Sequence, residues 1–265
     1  SQAVGPFNLF LSPFETKVCI GSGLFNCIEQ PDPNAPRITA LENIIMYRAP
    51  YRNFGDYEAI VLNHTADVSG IVGPGGIAAM RWYELRRYPG GDWHIWQEGT
   101  HAPDAANSRF MGTLSIDEAG NIGLGYSLAG KTQFPSLMLC GRRAGDPLGQ
   151  ISMAEYPLAP GMKSHFDSQR WGDYSNIAVD PKDGRTFWFT GEYQPLDANW
   201  GTYIGAFTIL RDTFDIAPLA LLTPQTSALL GNEETVSARF FNGGIAQASD
   251  FTAALYVDGF FQTEE

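Results

Sequence analysis

The chain has 265 residues, 44% apolar and only 17% charged, with 29 glycines and 17 prolines. That mixture suits many short strands joined by tight turns and excludes long charged helices. A net charge of −12 leaves no basic patch to neutralise phosphates, so nucleic acid is excluded as a partner and anionic membrane surfaces are disfavoured.

Residues 1–43 read as a partial sheet unit, with short strand candidates in "FNLFLSP" and "KVCIGSG". Cys19 and Cys27 lie in "VCIGSGLFNC", close enough to bridge a small loop; two buried thiols is the other reading. Cys140 stands alone and no Cys-x-x-Cys pair occurs, so a thiolate zinc site is not expected. No apolar run reaches membrane-spanning length, so no membrane insertion is expected.

Residues 44–214 carry an internal repeat. "YRNFGDYEAIVLN" starts at Tyr51, "SRFMGTLSIDEAGNIGLGYS" at Ser108 and "QRWGDYSNIAVDPKDGRTFWFT" at Gln169. Each has an arginine, an aromatic residue and a glycine, then an apolar strand ending in Asn63, Asp117 or Asp180. A period of roughly sixty residues points to repeated sheets. In the first unit "AIVLNHT" leads to "IAAMRWYELRRY" and "DWHIWQEG". In the second, "GTLSID" and "NIGLGYSLA" flank Glu-Ala-Gly and precede "PSLMLCGRR" and "ISMAEYPL". In the third, "NIAVD" and "TFWFTGEY" flank Pro-Lys-Asp-Gly, with "GTYIGAFTIL" next. A glycine in each hairpin supplies the positive φ such turns need. "RTFWFT" alternates poorly, which predicts a strand buried on both faces between neighbouring sheets.

From residue 215 the style changes. A Pro-led stretch is followed by strand candidates "TVSARFFN" and "FTAALYVDG".

The segments "IMYRAPYRNFGDYEAIVLNHT", "MRWYELRRY", "WQEGTHAPD", "SRFMGTLSIDEAGNIGLGYS", "PSLMLCGRRAGDPLG" and "RWGDYSNIAVDP…TFWFTGEY" resemble a β-propeller domain of large secreted bacterial surface proteins. The likeness spans residues 44–212. The chain departs from that family at Gly184-Arg185, where cysteine is frequent, and at Phe110, where tryptophan is frequent. Asp183-Gly184-Arg185-Thr186-Phe187-Trp188 also resembles a loose Asp-box turn of sialidase-like propellers. "VSARFFNGGIAQASDFTAALYVDG" resembles the start of an Ig-like module. The resemblance implies an all-β fold: an incomplete propeller of three to four blades, since closure takes about four to eight, plus a truncated Ig-like β-sandwich in 215–265. It ties the chain to no particular reaction.

Arg52, Arg109 and Arg170 fall at equivalent repeat positions. Converging on a shared channel, their guanidinium groups would clamp a carboxylate or sulfate; tying each sheet to its neighbour is the plainer role. Arg48, Arg81 and Arg142 are further candidates. Asp56 and Asp173, with Tyr57 and Tyr174, recur in the first and third units and could offer paired carboxylates beside a phenol. Glu192-Tyr193 could supply a base and nucleophile of the sialidase type, although residues that recur are more often structural. His94, His101 and Asp104 could hold a metal, but histidines satisfied by neighbours are the more ordinary reading, and no metal site is expected. No cofactor is expected either; calcium is the ion that acidic loops such as residues 180–183 would suit. Trp82, Trp93, Trp96, Trp171, Trp188 and Trp200 serve sheet cores or stack on sugars.

Two functions follow as expectations. The first is a non-catalytic extracellular binding or scaffold module of a larger surface protein, partnered by other domains of the parent chain and by a glycan or a surface protein. Its ligand residues would be Arg52, Arg109, Arg170, Asp56, Asp173, Tyr174 and Glu192, with no catalytic residue. The second is a sialidase-like glycoside hydrolase.

Overall fold

The protein is described by a computed structural model covering residues 5–18, 26–42, 44–71 and 75–209, together with the strands of 216–223, 237–242, 254–257 and 260–264. Among the described residues it is all-β, with several antiparallel sheets and none closed on itself. The chain divides into two compact units, Ser1–Ile209 and Leu210–Glu265.

In the first unit, β1 (Asn26–Ile28) pairs with β2 (Ile38–Thr39) as a short ribbon. Three sheets follow in chain order. Sheet I is β3 (Tyr51–Asn53), β4 (Glu58–Asp67), β5 (Ala78–Arg87) and β6 (His94–His101). Sheet II is β7 (Asn107–Ile116), β8 (Ile122–Gly130), β9 (Gln133–Arg142) and β10 (Tyr156–Ala159). Sheet III is β11 (Asn176–Val179), β12 (Phe187–Tyr193) and β13 (Gly201–Phe207). In each, neighbours in sequence are neighbours in the sheet.

Sheet II lies between the other two, and strand alternation shows how. Leu124, Tyr126 and Leu128 of β8, with Met138 and Cys140 of β9, pack on Val61, Met80 and Trp82 of sheet I. The intervening residues face the other way. Leu137 and Leu139 join Ile177, Phe187 and Phe189 of sheet III, and Phe187 and Phe189 seat against Gly123 and Gly125. Strand β8 is therefore buried along its whole length.

Sheet III differs from expectation. Phe187 and Phe189 are fully buried, but Trp188 between them is 46% exposed. Its indole N–H donates to Asp180 Oδ2 at 3.1 Å. Burial on both faces belongs to β8 because sheet II has a neighbour on each side. Among the described residues, no further sheet covers Trp188.

The repeat frame also shifts. Strands β4 and β11 follow the Arg-aromatic-Gly segment, whereas β7 contains it, and sheet I adds a strand that carries the segment's own arginine (β3) while sheet II adds one after its three-strand run (β10). Gly55 and Gly172 have positive φ, while in the middle unit Met111 takes that conformation one residue ahead of Gly112. Gly112 instead admits the Met80 side chain, which a Cβ would strike.

The Pro-Lys-Asp-Gly hairpin forms as read. Gly184 turns with φ +67°, and the Asp180 N–H donates to the Thr186 carbonyl at 2.7 Å. The Thr186 hydroxyl and the N–H groups of Thr186 and Arg185 hold the Asp183 carboxyl, drawing its pKa down to about 2. The tie between sheets is direct: the Glu118 N–H of sheet II's turn donates to the Gly184 carbonyl at 2.8 Å.

In the second unit, β14 (Ile216–Thr223) pairs with β15 (Ser237–Asn242), and β16 (Ala254–Val257) pairs with β17 (Phe260–Glu264), each antiparallel. The expected Cys19–Cys27 bridge falls on Cys19, outside the described residues; Cys27 is 1% exposed, in the cluster around β1 and Trp171.

Candidate functional site

The three repeat arginines do not converge. Arg52, on β3, donates its Nε to the Ile116 carbonyl of β7 at 3.1 Å, tying sheet I to sheet II. Arg109, on β7, is 1% exposed. It grips Glu155 with Nε at 2.6 Å and an amino group at 2.8 Å, and reaches Asp104 at 2.6 Å. Arg170, ahead of β11, has a side chain 76% exposed and pairs with Asp173 three residues on.

Around Glu155 the structure builds a buried network that the sequence reading missed. Tyr126 donates its hydroxyl to the Glu155 carboxylate, and His101 Nε2 lies 3.2 Å from the same oxygen. Cys140 Sγ is 3.7 Å from His101 Nε2. Burial opposes the charged carboxylate, but the hydrogen bonds from Arg109, His101 and Tyr126 outweigh it and hold Glu155 well below the usual range. Burial pushes the Tyr126 phenol and the Cys140 thiol far up, so neither is a nucleophile near neutrality. Glu155 is the residue before β10, 46 positions from Arg109, a separation without a local signal. The available clue was an arginine and a tyrosine placed on two neighbouring strands that are buried nearly throughout.

His94 and His101 sit apart in role. His94 stacks on Tyr88 with ring centroids 5.7 Å apart, whereas His101 serves the Glu155 network. Among the described residues no cluster of three or more His, Cys, Asp or Glu groups is arranged to hold a metal.

The expected ligand residues that do meet are Arg170, Asp173 and Glu192. They line an open cleft of about 350 Å³ together with Asp167, His165 and Trp200. Trp200 is 56% exposed and offers a ring face. His165 is buried; Ser168 donates its backbone N–H to His165 Nε2 at 3.3 Å, and Gln194 Oε1 lies 3.0 Å from its Nδ1. Glu192, on β12, accepts the Gly172 N–H at 2.8 Å. Burial raises its pKa, against the opposing pull of that hydrogen bond and of His165. Tyr193 follows Glu192 on the strand and so points to the opposite face, where it packs beside the core shared with sheet II. Glu192 and Tyr193 therefore cannot act together on one substrate atom.

Asp56 and Tyr174 are not among the residues that line the cleft: Asp56 is exposed in the β3–β4 turn, and Tyr174, next in sequence to Asp173, is 51% exposed. Tyr57 stacks on Phe54 at 4.7 Å, and Arg86 lies over its ring at 4.1 Å, so it serves sheet I. Trp82 and Trp171 are buried core, and the Trp171 indole N–H donates to the Ser127 hydroxyl at 3.0 Å.

Comparison with protein-family models, with curated proteins and with solved structures finds no match.

The raised Glu192 carboxyl makes a stability prediction. A glutamate held above its unfolded pKa binds its proton more tightly in the folded state. Its ionisation therefore weakens the fold as pH rises from the ordinary glutamate value through the raised one. Glu192→Gln keeps an acceptor for the Gly172 N–H and removes the charge. It should raise the melting temperature at pH 7 and leave it unchanged at pH 4, as read by calorimetry at both pH values; an equal shift at the two would contradict the titration argument.

Proposed function

We propose that this chain is a non-catalytic binding or scaffold module of a larger secreted bacterial surface protein. In this reading residues 44–212 are blades of a β-propeller, and the tail begins an Ig-like module. Other domains of the parent chain are its neighbours, and a glycan is its ligand. The observation that carries the proposal is the use made of the recurring residues. Arg52 and Arg109 are engaged within the fold, while the cleft gathers an exposed tryptophan, a paired arginine and a half-buried carboxyl. An exposed ring beside polar groups suits a sugar face.

Glycan-array binding followed by titration calorimetry tests this. Trp200→Ala should lower affinity about tenfold, in line with the loss of one ring contact, and leave the melting temperature within about a degree. Arg170→Ala should likewise spare stability, because exposed ion pairs contribute about 0–1 kcal/mol. Unchanged binding in both variants would remove the cleft from consideration.

One observation favours a second reading, a glycoside hydrolase. A carboxyl with raised pKa in an open cleft has the character of a general acid, and Asp167 and Asp173 line the same space. Under that reading Glu192→Gln abolishes turnover of an aryl glycoside; under the first it leaves no activity to lose and retains binding.

A further inference from the structure

Arg81, Arg87, Arg109, Arg170 and Arg185 each sit against a carboxylate, as expected in a chain of net charge −12. Arg48 and Arg52 do not. They line one pocket of about 310 Å³ with Tyr51 and Ser115, and no aspartate or glutamate belongs to its walls. The pocket sits where β3 meets the C-terminal ends of β7 and β11, since Ile116 and Val179 complete it. The Glu192 cleft lies at the other end of β11, around the residues that precede it.

The groups in this pocket are arranged for an outside acceptor. Arg52 is anchored by its Nε on the Ile116 carbonyl, which fixes the plane of the guanidinium and leaves its two terminal nitrogens without a protein acceptor among the described residues. Arg48 is exposed and has no carboxylate partner among them. Ser115 is only 4% exposed, and its hydroxyl likewise has no protein partner among the described residues. Two guanidinium groups and a serine hydroxyl around one space form a site for a planar or tetrahedral oxyanion. Tyr51, 53% exposed, borders it, and its hydroxyl donates to Glu58, a carboxylate already paired with Arg87.

We propose that this pocket binds the carboxylate of a uronic acid within an extended glycan, with the ring of Tyr51 against the sugar. The net charge selects among anions. A densely charged polymer would be repelled by the rest of the surface, whereas a glycan whose acid residues are separated by neutral sugars brings one carboxylate at a time to the pair.

Titration calorimetry of the full chain with an oligosaccharide alternating glucuronate and N-acetylglucosamine tests the proposal. Binding should be measurable, fall about tenfold or more in Arg48→Ala through loss of a charge-assisted hydrogen bond, and weaken with salt. Arg48 has no internal partner, so its variant should melt as the parent does. Arg52→Lys keeps the charge but loses the fork, and should also bind more weakly. Carboxyl-reduced oligosaccharide should not bind. Equal affinity for the reduced sugar, unaltered affinity in Arg48→Ala, stronger binding of a poly-glutamate peptide or of a fully sulfated oligosaccharide, or no binding at millimolar ligand would each overturn the proposal. Trp200→Ala should leave this binding unchanged, so failure here and failure of the cleft reading are told apart.

Discussion

Arg109→Ala should lower the melting temperature by about 10 °C. Arg109 is almost wholly buried between two carboxylates. Its removal leaves Glu155 with only Tyr126 and His101 as donors, an underpaired charge in a poorly solvated place. Breaking one side of such a pair costs about 3–5 kcal/mol. In a unit of this size each kcal/mol moves the transition by roughly 2–4 °C. The same network predicts acid resistance. Glu155 is held below its ordinary value of 4.5, so the stabilisation it contributes is fully present above that pH and is lost only as pH falls through the depressed value. Arg109→Ala should therefore unfold at a higher pH than the parent in an acid titration followed by near-ultraviolet circular dichroism. Replacing Arg109 by Met and Glu155 by Leu together should recover part of the loss, because an apolar pair escapes the desolvation cost. A fall of under a degree in the single variant would mean that water reaches Glu155 and the pair behaves as a surface one.

Much of the strand layout was legible. "GTLSID", "NIGLGYSLA" and "PSLMLCGRR" fall within or across β7, β8 and β9, because period-two alternation and glycine turns are local signals. The hairpin glycines Gly120 and Gly184 take the positive φ assigned to them. What local pattern does not carry is the identity of the neighbour. The repeat made Arg52, Arg109 and Arg170 look alike, yet one meets a carbonyl, one a distant glutamate and one, at the surface, an aspartate three residues on. Those outcomes depend on Ile116, Glu155 and Asp173, which have no common repeat position. Trp188 shows the same limit: its flanking phenylalanines made a fully buried strand plausible, and only the missing cover on one face exposes it. The cleft was half legible, since Arg170, Asp173 and Glu192 were candidates, whereas Asp167, His165 and Trp200 join them only through the fold.

Gly125→Ala, and Gly123→Ala beside it in the alternation, should each destabilise the first unit by about 1–3 kcal/mol, the usual cost of overfilling a packed interior. Both glycines face sheet III from the middle of β8. A Cβ at Gly125 would lie 2.5 Å from the Phe189 ring, and one at Gly123 2.8 Å from that of Phe187. Neither ring has room to retreat: both phenylalanines are fully buried, and Phe187 is stacked on Phe207 at 5.1 Å. Neither glycine needs its backbone freedom here, as neither has positive φ, so the effect is steric. It is separable from strand propensity, which favours alanine over glycine within a strand. Shortening the opposing ring supplies the check. Phe189→Leu alone should destabilise, but combined with Gly125→Ala it should cost less than the sum, with a favourable coupling of about 0.5–3 kcal/mol between touching residues. Urea denaturation of the four proteins in the cycle measures it. Strict additivity would mean that sheets II and III do not meet at these positions, and with it would fall the reading that sheet III stacks on sheet II by seating Phe187 and Phe189 on glycine.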